Sequence, residues 1–140
     1  MSNIIDSLKS FYTRFESLDL DSIAKIYDRN VVFRDPLHEI EGLIAMKDYF
    51  SSLSGSVDYC NFSFGDELIG ENKAYLNWEM RFKHRKLNDG NEIVLRGVSH
   101  LEFGEKIVYH EDFYDLGAMI YEHTPIFGRV VTWLKRKILS

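Results

Sequence analysis

The sequence predicts an α+β domain of three N-terminal helices packed on a curved antiparallel sheet, with a further helix at the C-terminus. Three observations predict it. Apolar residues recur every three or four positions over residues 3–53, broken by one short apolar strand at Val31. Over residues 57–114 the pattern changes to strand-like segments rich in aromatic and β-branched residues. Short turns join those segments, which makes an antiparallel meander, and the helices precede them instead of alternating with them. With 140 residues the chain forms one domain, 1–140, with residues 116–140 as a helical extension.

The first helix is carried by Ile4, Leu8, Phe11, Phe15 and Leu18, with Asn3 as its cap. Asp19 offers a second cap ahead of Leu20, Ile23, Ile26 and Tyr27, so a shorter helix follows at once. Val31–Asp35 then runs as a strand into the charged turn Pro36-Leu37-His38-Glu39. An Asp before Pro is held out of the α region, so Asp35 sits in extended backbone at the strand end. Leu43, Met46, Phe50 and Leu53 mark a third helix, ended by the Ser-Gly-rich stretch 51–56. Strands follow over Val57–Ile69, Ala74–Arg85, Glu92–Phe103 and Lys106–Tyr114.

Alternation assigns the faces of those strands. Trp78, Met80 and Phe82 point to the helices; Arg81 points away. In the next strand Leu95, Gly97, Ser99 and Leu101 share the inner face, opposite Arg96, His100 and Glu102. In the last, His110, Asp112 and Tyr114 share one face. The outer charged residues read as a solvated face, as an ion-pair lattice or as the rim of a homodimer through the sheet face, solvation being the expected state of any single one.

This order of elements resembles the nuclear transport factor 2-like superfamily, whose cystatin-like cone encloses a pocket. Within it the chain is most similar to SnoaL-like proteins, on three motifs: Asp35-Pro36 ending a strand, Gly42 opening the third helix, and the late strand Lys106-Ile107-Val108-Tyr109-His110-Glu111-Asp112. The resemblance spans residues 3–115 and implies a pocket, often with acid/base chemistry. Against the ketosteroid isomerases of that superfamily, Tyr27 and Asp35 match the spacing of a helix Tyr and the general base. The two oxyanion donors do not match, because Phe11 and Ser99 stand at their positions. One lost oxyanion donor typically costs ~2.7–4 kcal/mol of transition-state stabilisation, so steroid isomerisation is not expected. The SnoaL-like cyclases imply instead that Asp112 is the acid/base carboxylate.

Asp112, Asp35 and His110 are therefore the candidate catalytic residues. Tyr114, Ser99, Trp78, Met80, Phe82 and Tyr27 are the candidate ligand-binding residues. Asp35 reads either as a general base or as the cap of its own turn. His110 with Asp112 reads as a base and its partner, or as a polar pair satisfied within the core. His38 and Glu39 read as exposed turn residues.

The expected function is binding of a hydrophobic or polycyclic small molecule, with cofactor-free isomerase, cyclase or hydrolase chemistry as the candidate activity. The alternative is a non-catalytic ligand-sensing or protein-interaction module. No cofactor is expected, and the five histidines show no metal-ligand spacing. A net charge of −5 argues against nucleic acid as a partner. The single Cys60 excludes an intramolecular disulfide, and with no leader-like or spanning segment the expected location is the cytoplasm. Over Pro125–Leu139, Ile126, Phe127, Val130, Val131, Leu134 and Ile138 fall at helical spacing beside Arg129, Lys135, Arg136 and Lys137. That helix is expected to pack on its own domain, where it could act as a lid. An acidic partner or an anionic membrane surface is the other reading, and membrane contact is not the expected one.

Overall fold

A computed structural model describes residues 3–15, 19–84, 91–119 and 125–139. Helix α1 is Asn3–Thr13, and a 3-10 turn at Leu20–Ser22 leads into the short α2, Ile23–Ile26. Asp19 caps that turn as expected, its side chain accepting from the Asp21 N–H. Strand β1 is Tyr27–Arg34, β2 is Glu39–Glu41 and α3 is Leu43–Ser56. The meander follows as β3 Val57–Ile69, β4 Lys73–His84, β5 Ile93–Phe103 and β6 Ile107–Tyr114. Two helices close the described chain, α4 at Leu116–Met119 and α5 at Pro125–Leu139.

The six strands form one open sheet in the order β2-β1-β6-β5-β4-β3. The meander is antiparallel throughout, as its short turns require, but β1 joins β6 in parallel. That pairing places Phe33 beside His110 and Arg34 beside Glu111, which draws the Asp35 turn toward the C-terminal end of β6. Tyr27, expected at the end of a helix, is instead the first residue of β1, with φ −104° and ψ 139°. Tyr27 pairs with Ile107 of β6, and that strand pairing, continued by Val32 and Phe33, claims it. Helix α3 also continues through the largely exposed Ser-Gly stretch expected to end it, despite the weak helix propensity of those residues.

The sheet's inner face holds the core with α1, α2 and α3. Ile5, Leu8, Tyr27, Met46, Phe50, Leu76, Leu95, Leu101 and Ile107 are all almost fully buried. Gly42 turns the chain from β2 into α3 at φ +89°, which only glycine takes without strain, and its N–H donates to the Val31 carbonyl. On the outer face Arg81 bridges Glu79 and Glu92, and Arg96 joins Glu79, so the ion-pair lattice is present. Helix α5 keeps Val130, Trp133, Leu134, Ile138 and Leu139 exposed, while the side chains of Ile126, Phe127 and Val131, the rest of the face expected to pack on the domain, lie outside the described residues. Lys135 on this helix pairs with Asp115 at 3.2 Å. Among the described residues no helix is long and apolar enough to cross a membrane.

Candidate functional site

Between the helices and the inner face of the sheet lies a cavity of about 470 Å³. Phe33, Tyr49, Phe50, Phe62, Trp78, Phe82 and Tyr114 supply aromatic walls, Met80, Leu37 and Leu53 fill the gaps, and Asp112 and Asp35 carry the charge. Six of the nine residues singled out from the sequence therefore line one space. His110, Ser99 and Tyr27 do not line it; they stand behind Asp112 in a buried hydrogen-bonded chain.

Alternation along β5 and β6 builds that chain, because Ser99 pairs with Asp112 across the two strands. Asp112 Oδ1 accepts from the Ser99 hydroxyl at 2.5 Å and from His110 Nε2 at 2.7 Å. Trp78 Nε1 donates to Ser99 Oγ at 2.9 Å and so orients that hydroxyl. A carboxylate only accepts, so the proton of the neutral imidazole resides on Nε2 and Nδ1 must accept. Its donor is the Tyr27 hydroxyl, 2.8 Å away, whose oxygen in turn lies 2.9 Å from the Tyr12 hydroxyl. Tyr12, Tyr27 and Phe33 rings enclose the imidazole, which is 1% exposed. Asp112 Oδ2 has no protein partner among the described residues, and its carboxylate reaches the cavity.

Gly97 is needed for this arrangement. A Cβ there would stand 2.5 Å from Trp78 Cη2 and 2.8 Å from the Phe113 carbonyl, so any side chain pushes the indole off Ser99.

Asp35 sits differently. Its Oδ1 accepts from the Leu37 and His38 N–H groups, at 2.8 Å each, closing the turn that follows Pro36. Its Oδ2 accepts from the Tyr49 hydroxyl at 2.5 Å. The turn-cap geometry is thus present, and the same carboxylate also aims Tyr49 at the cavity. His38 is exposed, as expected of a turn residue, and its ring lies tilted against Tyr49 with centroids 4.7 Å apart. Glu39 pairs with Arg34 on the surface.

Every phenol around the site is held protonated. Burial foremost raises the Tyr12 and Tyr27 hydroxyls well above the usual tyrosine value, with the Asp112 charge adding to it. Burial also raises Tyr49, helped by its hydrogen bond to Asp35, and raises Tyr114, helped by the charges of Asp35 and Asp112. Both carboxylates therefore act on the same cavity.

Tyr49 and Tyr12 are the residues that sequence reasoning missed. Tyr49 flanks the apolar stripe of α3 beside Phe50, and Tyr12 follows Phe11 on α1. A phenol at the edge of a helix stripe was the available signal. No group of three or more His, Cys, Asp or Glu poised to hold a metal occurs among the described residues.

The comparisons with known proteins agree with this architecture. A solved NTF2-like protein of unknown function from Burkholderia pseudomallei superposes with a TM-score of 0.73 at 16% identity, over 85% of this chain and 95% of that one. A candidate SnoaL-like polyketide cyclase from Jannaschia gives 0.73 at 8% identity, over 84% and 89%. A protein with a ketosteroid isomerase-like fold from Catenulispora acidiphila, solved with trimethylamine, gives 0.71 at 8% identity, over 81% and 88%. No curated protein matches the chain. The model of the SnoaL-like domain matches residues 8–110, the span from α1 to the imidazole behind Asp112, and the chain belongs to the SnoaL-like domain family of nuclear transport factor 2-like fold.

Proposed function

We propose that the protein binds a hydrophobic small molecule in the aromatic cavity and that Asp112 exchanges a proton with it. One observation carries the reading: a carboxylate fixed from behind by Ser99 and His110 keeps its second oxygen without a partner among the described residues, in a space walled by rings. Asp112 takes this role ahead of Asp35, whose two oxygens already accept three hydrogen bonds. His110 positions Asp112, and Tyr27 fixes the tautomer that lets it do so. Tyr114 and Tyr49, held protonated, are the donors for a ligand oxygen. Trp78, Met80 and Phe82 form the apolar wall, and the buried thiol of Cys60 suits a reducing, cytoplasmic setting.

A thermal-shift screen against polycyclic ketones, epoxides and fatty acids, comparing the wild type with Trp78→Ala, tests this. A ligand at ~100 times its dissociation constant adds ~2.7 kcal/mol, enough to raise the midpoint by several degrees. The shift is expected in the wild type and not in Trp78→Ala. On the chemotype so found, Asp112→Asn is expected to abolish turnover with the fold intact. No shift across the panel favours the non-catalytic module, and equal shifts in both proteins place binding outside the cavity.

A further inference from the structure

We infer that the cavity selects its ligand by charge, taking a hydrophobic molecule that carries an amine or other organic cation and rejecting the corresponding carboxylate. This rests on the reading that the cavity is a ligand site, and it adds the chemical class. Two carboxylates line the space, while among the described residues the lining includes no Lys or Arg and His84 is the one side chain able to become cationic. An anionic ligand would bring a third negative charge into an apolar enclosure where field lines are little screened. A neutral ligand displaces water and leaves Asp112 Oδ2 a buried acceptor with no donor, which is costly.

An ammonium solves both problems, since it donates to Oδ2 and offsets the charge. The walls suit the same guest, because the negative faces of aromatic rings attract cations, and Trp78, Tyr49, Tyr114 and Phe33 border the carboxylates. Asp35 and Asp112 both raise the Tyr114 hydroxyl, so the two charges converge on one volume although they come from opposite ends of the sequence. Asp35 is held for this purpose by its own turn, independently of the chain behind Asp112.

Three indoles of similar size whose side chains are cationic, neutral and anionic make the test: tryptamine, tryptophol and indole-3-acetate, titrated calorimetrically at pH 7 into the protein. Tryptamine is expected to bind at least tenfold more tightly than indole-3-acetate, with tryptophol between them. Asp112→Asn, near-isosteric and checked by circular dichroism, is expected to shrink the tryptamine advantage and strengthen indole-3-acetate. The wild-type ranking stands as a test even where the variant folds poorly. Tryptophol binding as tightly as tryptamine overturns the charge selection and leaves the cavity reading intact. Indole-3-acetate binding as tightly as tryptamine does the same. Silence of all three alongside a neutral hit in the ketone and epoxide screen overturns the inference alone, and silence of every probe overturns both.

Discussion

His110→Leu is expected to destabilise the protein by about 2–5 kcal/mol and to lower its melting midpoint by roughly 10 °C or more. The imidazole is buried and satisfied at both nitrogens, so its loss takes one partner from each of two groups: the Tyr27 hydroxyl keeps only Tyr12, and Asp112 Oδ1 keeps only Ser99. Each hydrogen bond lost in the interior costs about 1–3 kcal/mol, and in a domain of this size each kcal/mol moves the midpoint by several degrees. The cost is one of partnership, not volume, because leucine fills nearly the same space. A double-mutant cycle separates these contributions. Tyr27→Phe alone strands Nδ1, whereas Tyr27→Phe with His110→Leu removes both ends of the bond. The double variant should therefore be more stable than the two single losses predict, by about 0.5–3 kcal/mol. Additive losses within a few tenths of a kcal/mol would show that the two side chains do not share a hydrogen bond.

Much of this site is legible in the sequence for one physical reason: a strand has a period of two, so a residue's face follows from its neighbours. Alternation turns Trp78 with Phe82, Ser99 with Leu101, and His110 with Asp112 inward, and β4, β5 and β6 put them there. The period says nothing about depth. Asp112 and His110 share a face, yet one reaches the cavity and the other stands behind it, because that difference depends on the helices packed across the strand. Helical contributions were harder to read for a related reason. Tyr12 and Tyr49 flank the apolar stripes of α1 and α3, and whether such a phenol turns inward depends on partners far away in sequence. Tyr12 meets Tyr27, and Tyr49 meets Asp35 across 14 residues. Strand β2 was missed because three residues, Glu39-Ile40-Glu41, give too short an alternation to read in a charged turn. The parallel pairing of β1 with β6 joins segments more than seventy residues apart, and no local turn signals it. The exposed face of α5 shows the opposite limit: helical spacing identified the helix, but spacing does not say what covers it.

Alkaline pH should unfold this protein early, and the same buried chain is the cause. Tyr12 and Tyr27 are raised well above the ordinary tyrosine value, first by burial and then by neighbouring charge, whereas in the unfolded chain both titrate near 10. The sign follows directly. Below about pH 10 both states hold the two phenolic protons, and the stability they confer is fully present. Above it the unfolded chain releases them while the fold cannot, so stability falls as pH rises, by about 1.4 kcal/mol per pH unit for each phenol and about 3 for the pair. Two pH units of this slope remove about 5 kcal/mol, which is as much as many domains possess. Urea midpoints measured from pH 8 to 12 are expected to stay level to about pH 10 and then drop steeply. The Tyr12→Phe, Tyr27→Phe double variant, less stable at neutral pH, should lose stability more shallowly above pH 10, by about 3 kcal/mol per unit. Tyrosinate absorbance supplies the second readout: both phenolates should appear only together with loss of the near-ultraviolet circular dichroism of the folded core. If Tyr12 and Tyr27 ionise near pH 10 while the fold persists, water reaches the chain behind His110, and the enclosure that fixes the imidazole tautomer does not exist.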